Sequence, residues 1–128
     1  MISITAPEQL PANLPDYEFL LRLSFSDVDF LSNELSPRAA AKIASALTRE
    51  QAAHLLQFVT ALPESIHTLV VHCSGGYSRS PGVASALGAI YGYGIENDRM
   101  TDANQSVRTL LLEVANHQPK SRRREKCR

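Results

Sequence analysis

Apolar residues recur along this chain with two different periods. Ile2 and Ile4 alternate with Ser3 and Thr5, a period of two that predicts a short strand. Pro7, Pro11 and Pro15 then hold a loop that cannot be helical. Residues 19–25 (FLLRLSF) form an apolar run of strand length. Ser36-Pro37, a capping residue followed by proline at the first helical position, predicts a helix over 37–47. Thr48 with Gln51 has the form of a capping box and opens a helix over about 49–62, with Ala52, Leu55, Leu56 and Val59 inward and Pro63 as its stop.

Residues 66–72 (IHTLVVH) are the strongest strand candidate, because Leu69, Val70 and Val71 make an unbroken apolar run of the kind covered on both faces of a sheet. That run leads straight into a glycine-bearing loop, residues 73–80. Pro81 stands where a helix would begin, Val83, Ala84, Leu87, Ala89 and Ile90 supply its apolar content, and Tyr91-Gly92-Tyr93-Gly94 ends it. Thr101 is placed to cap a last helix through about Asn116, with Val107, Leu110, Leu111 and Val114 in one stripe. Strands alternating with helices predict an α/β domain, a central, mostly parallel sheet flanked by helices.

Length and composition narrow the function classes. With 128 residues, 44% hydrophobic and 20% charged, the chain fits one compact domain and excludes a multidomain machine. No apolar run approaches the roughly 20 residues that span a bilayer, and the first residues have neither a basic n-region nor an unbroken apolar h-region, so a cytoplasmic protein is expected. Two cysteines, Cys73 and Cys127, exclude a disulfide framework, and histidines at 54, 67, 72 and 117 are too scattered for zinc. The formal charge of zero is unevenly spread. Residues 1–119 carry seven basic against twelve acidic side chains, and residues 120–128 carry six against one. The expected organisation is a catalytic domain over 1–119 and a basic, flexible tail over 120–128. The plain reading of that tail is a solvated terminus, and the sharper one is a patch that steers an anionic partner. No aromatic interleaves with its charges, which argues against a base-stacking surface.

The chemistry concentrates after the buried run. A strand that enters a glycine loop and then a helix N-terminus brings backbone N–H groups and the positive end of a helix dipole to one point, where an anion binds. The loop reads His72-Cys73-Ser74-Gly75-Gly76-Tyr77-Ser78-Arg79-Ser80. A lone cysteine after an apolar strand is ordinarily a small core residue. Here the N–H groups that would hold a phosphate also favour a thiolate, making Cys73 a candidate nucleophile. Arg79 is spaced so that the loop can curl and lay its planar fork against two oxygens of a tetrahedral oxyanion.

This stretch resembles the signature loop of the cysteine-dependent protein tyrosine phosphatases, His-Cys-x-x-Gly-x-x-Arg-Ser/Thr, in His72, Cys73, Gly76, Arg79 and Ser80, and its Gly-Tyr-Ser-Arg-Ser-Pro wording is most similar to the dual-specificity branch. The tight match covers about fifteen residues. The resemblance implies hydrolysis of phosphotyrosine, and of phosphoserine or phosphothreonine, in proteins through a phosphocysteine on Cys73. The N–H groups of Ser74, Gly75, Gly76, Tyr77, Ser78 and Arg79, together with the Arg79 side chain, would hold the phosphoryl oxygens. Ser80 would hydrogen-bond the sulfur, and His72 would support loop and thiolate. No metal or cofactor is called for. The family's general acid is an aspartate on a separate upstream loop. Asp27, closest to the end of the FLLRLSF run, is preferred for that role, and Asp29 is the alternative. The chain has no tryptophan, so no Trp-Pro-Asp wording marks the acid.

Two other functions share these residues. The same chemistry could serve a non-protein phosphate, such as a phosphoinositide, a nucleotide or an RNA 5′ end, captured with help from the basic tail. A catalytically weak module could instead hold a phosphorylated protein or peptide without turning it over.

Overall fold

The computed structural model describes residues 1–32, 35–73, 78–94 and 103–117. Among these residues, three strands, β1 (Ile2–Thr5), β2 (Leu21–Ser24) and β3 (Val71–Cys73), and four helices, α1 (Pro37–Ala40), α2 (Arg49–Thr60), α3 (Arg79–Tyr91) and α4 (Gln105–Asn116), make an α/β fold, with a 3-10 turn at Ile43–Ser45. The sheet is parallel throughout, in the order β2-β1-β3. The three strands therefore end at the same edge, where ligands of open parallel sheets bind.

Register explains which side of the sheet carries the core. Ile2 lies between Leu21 and Val71, and Ile4 between Leu23 and Cys73. Because successive strand residues face opposite sides, these six share one face; Ile2, Ile4, Leu23 and Cys73 belong to the hydrophobic core, and Leu21 and Val71 pack against it half-buried. Ser3, Arg22 and His72 form the row between them, on the polar face. The polar row is covered too at β1, where Ser3 is 1% exposed, and the expected buried strand is corrected in its length and in the exposure of the run before it. Val70 is 48% exposed, Leu69 and Val71 are half-buried, and the strand spans only Val71–Cys73, well short of 66–72. β3 is an edge strand of the described sheet, and the run before it borders a surface groove lined also by Ala84, Leu87 and Tyr93.

Helix α2 behaves as its pattern predicts. The Thr48–Gln51 capping box forms, and Ala52, Leu55, Leu56 and Val59 are all buried. α4 buries Val107, Leu110, Leu111 and Val114 and packs against both α2 and α3. Two boundaries differ from expectation. The helix expected over 37–47 is one turn, because its Ala-rich sequence has no apolar stripe to bury and none of Pro37–Ala40 is buried. α4 begins at Gln105 with Asn104 as its cap; Thr101, the expected cap, lies outside the described residues. Asn104 wins because its side chain accepts from the backbone N–H of Val107, the first residue of the apolar stripe. α3 begins two residues before Pro81, at Arg79, and Gly92 ends it at φ +81°, a left-handed torsion suited to glycine.

The two capped helices make a contrast that stability can read. Thr48→Ala should cost about 1 kcal/mol of unfolding free energy in urea titrations, since α2 is anchored by four core residues. Ser36→Ala should leave it unchanged within error, because α1 buries nothing and can fray without exposing the core.

Candidate active site

Cys73 is the last residue of β3 and closes the row Ile4–Leu23–Cys73 on the apolar face. It is 8% exposed. Its sulfur meets the start of α3: the backbone N–H of Ser80 donates to Sγ at 3.3 Å, and the thiol donates to Ser80 Oγ at 3.2 Å. Both groups belong to the second residue of a 13-residue helix, so the sulfur sits at the positive end of a helix dipole, which favours negative charge there. With a thiolate, the Ser80 hydroxyl turns its proton to the sulfur and both contacts become donors to it. Pro81 adds to this arrangement by having no N–H to satisfy.

Arg79 begins the same helix and is 6% exposed. Its Nη1 donates to the carbonyl of Phe25 at 3.1 Å, which ties the guanidinium to the end of β2. Its Nε is buried and finds no acceptor. No carboxylate pairs with this cation among the described residues. A buried guanidinium without a counter-charge is costly, and a fork held by one nitrogen with another N–H unfilled is the complement of an oxyanion. The ordinary structural role of a buried arginine, pairing with a carboxylate to tie the fold together, is not the one found here.

The upstream aspartates part company in the structure. Ser78 precedes α3 without capping it. Its hydroxyl donates instead to Asp27 Oδ1 at 2.7 Å, so Asp27 stands at the exit of the glycine loop. Asn104 Nδ2 donates to the same oxygen at 3.0 Å. Asp29 is hydrogen-bonded to the Ser106 hydroxyl on α4, which also accepts the N–H of Leu31 at 2.9 Å. The segment from Ser26 to Leu31 is thereby fastened at one point to the glycine loop and at two to the start of α4.

Of the residues singled out in sequence, Cys73, Arg79 and Ser80 come together at the head of α3, with Ser78 and Asp27 beside them. His72 lies on the polar face, and its Nε2 is buried without a hydrogen-bond partner. Ser74, Gly75, Gly76 and Tyr77 lie outside the described residues, as do Cys127 and the basic tail. Three residues escaped sequence reasoning: Asn104, Ser106 and Gly82. The signal for Asn104 was its place three residues before Val107, the spacing of a cap. Nothing in the sequence marked Gly82, whose role is close approach. A Cβ there would come within 2.7 Å of the Asn104 carbonyl oxygen, because the N–H groups of both Gly82 and Asn104 donate to the Ser78 carbonyl, at 3.0 and 2.9 Å.

Gly82→Ala should therefore cost about 1–3 kcal/mol in thermal or urea unfolding, the usual range for overpacking, because the atom it meets is backbone. A variant as stable as the parent would show that α3 and the start of α4 can separate freely.

No family model, no curated protein and no solved structure matches this chain, which leaves its own residues and their geometry as the ground for function.

Proposed function

We propose that this protein is a cysteine-dependent phosphatase that hydrolyses phosphate monoesters, with phosphotyrosine, and phosphoserine or phosphothreonine, of proteins as its substrates. The observation that carries this reading is the buried guanidinium of Arg79, which has no carboxylate partner among the described residues, one residue before the Ser80 groups that hold the Cys73 sulfur. A positively charged fork beside a nucleophilic atom at a helix N-terminus suits a substrate that brings its own negative charge. The choice of proteins over other phosphate esters rests on the resemblance of the loop to the dual-specificity phosphatases.

In the first step Cys73 thiolate attacks phosphorus in line. The sulfur–phosphorus bond forms, the ester oxygen–phosphorus bond breaks, and Asp27 gives its proton to the leaving oxygen. Arg79 holds the equatorial oxygens as their charge is redistributed. In the second step water attacks the phosphocysteine, the Asp27 carboxylate takes its proton, and the sulfur leaves as a thiolate that accepts the Ser80 hydroxyl. Inorganic phosphate departs and the enzyme returns to its starting state. Asp27 is assigned the acid because it contacts Ser78, whereas Asp29 is bonded to Ser106 on α4.

Hydrolysis of a small aryl phosphate, followed against pH without added metal, tests the assignment. Cys73→Ser should abolish turnover. The wild-type rate should pass through a maximum, with an acid and an alkaline limb. Asp27→Ala should lose the alkaline limb and about 10²–10⁴ in kcat, while Asp29→Ala keeps the limb. Turnover that survives Cys73→Ser, or an alkaline limb that disappears only in Asp29→Ala, would contradict these roles.

A further inference from the structure

The aspartate assigned as general acid is held by a residue 77 positions away in sequence. Asn104 is 6% exposed and uses every polar group it has. Its Oδ1 accepts the Val107 N–H at 3.1 Å, which caps α4. Its Nδ2 donates to Asp27 Oδ1 at 3.0 Å and to the Val28 carbonyl at 3.1 Å. Its backbone N–H donates to the Ser78 carbonyl at 2.9 Å, and its carbonyl accepts the Arg108 N–H at 3.2 Å.

Capping explains the bonds to Val107 and Arg108. Serine or aspartate would cap α4 as well as asparagine does. What those residues lack is a pair of donors on one nitrogen, and here both donors are used on the loop that carries Asp27. The effect on the acid is specific. Asp27 Oδ1 accepts from Asn104 and also from the Ser78 hydroxyl at 2.7 Å, while Oδ2 has no partner among the described residues. A carboxyl with one oxygen held by two donors carries its proton on the other.

We infer that Asn104 is a positioning residue for general-acid catalysis: through its amide it fixes the Asp27 carboxyl with Oδ2 as the proton-bearing oxygen, and through Val28 and Ser78 it locks the acid loop to the exit of the phosphate loop. The inference rests on the phosphatase reading above. It makes the alignment of the acid depend on the docking of α4 against α3, where Gly82 allows the close approach.

The test separates acid positioning from simple support of the fold. Phenyl phosphate needs its leaving oxygen protonated, whereas para-nitrophenyl phosphate, with a far better leaving group, needs this much less. The ratio of kcat/KM for the two substrates does not depend on how much of a preparation is folded. In Asn104→Ser, which retains a cap, phenyl phosphate should lose about tenfold more than para-nitrophenyl phosphate, the scale of a lost hydrogen bond to a charged group. Asn104→Asp, nearly isosteric and also a good cap, should do the same. Asp27→Ala should change the ratio further, and adding Asn104→Ser to it should change it no more. A wild-type ratio in both Asn104 variants, with an altered one in Asp27→Ala, would overturn the positioning role and leave the acid in place. An unaltered ratio in Asp27→Ala would overturn the acid assignment and Asn104's role with it.

Discussion

The hydrogen bond from the Ser80 N–H to the Cys73 sulfur is the contact on which the rest of the site depends. It joins the last residue of a strand to the second residue of a helix, so the loop between them must close on itself. The sulfur can accept this bond because it sits on the apolar face of the sheet, in register with Ile4 and Leu23, under the helix that the same face buries. Strand register, helix packing and the electrostatics of a helix N-terminus thus converge on one atom. A residue shift of β3 would send Cys73 to the polar face and dissolve the arrangement.

Around that contact the fold recruits pieces distant in sequence. The end of β2 supplies the Phe25 carbonyl that anchors Arg79. The following segment supplies Asp27 and Asp29, and the start of α4 supplies Asn104, which holds the first, and Ser106, which holds the second. Each anchor is made to backbone or to a short side chain, so the positions of the charged groups follow from packed elements and not from long flexible arms. Arg79 is the buried charged side chain among the described residues. It is buried with an unfilled donor, a local cost that a bound phosphoryl group would offset.

Much of this was legible in the chain because the signals were local. The capping box of α2 and its four buried residues follow from spacing within 12 residues, and Cys73, Arg79 and Ser80 are close enough for a single loop to carry them together. What was not legible depended on long-range contact. Leu69-Val70-Val71 reads as a run buried on both sides, yet it lies before and at the start of a short edge strand, and Val70 is 48% exposed. Asp27 and Asp29 are two acidic residues of one irregular segment, and in sequence Asp27 is preferred for lying closest to the end of the FLLRLSF run. Their contacts, Asp27 with Ser78 and Asn104 and Asp29 with Ser106, are what separate them in the structure. Asn104 and Thr101 are both capping types, and the cap is the one whose side chain reaches Val107 at the start of the apolar stripe.

The central claim is that the Cys73 sulfur is the atom that receives phosphate. It is tested most directly by denaturing the wild-type protein rapidly during turnover of an aryl phosphate and mapping phosphorylated peptides by mass spectrometry, with phosphorus NMR to identify the bond. Phosphate on Cys73 through a sulfur–phosphorus bond, absent when substrate is omitted, is the predicted result. Phosphate carried by another residue while the Cys73 peptide stays unmodified would contradict the claim.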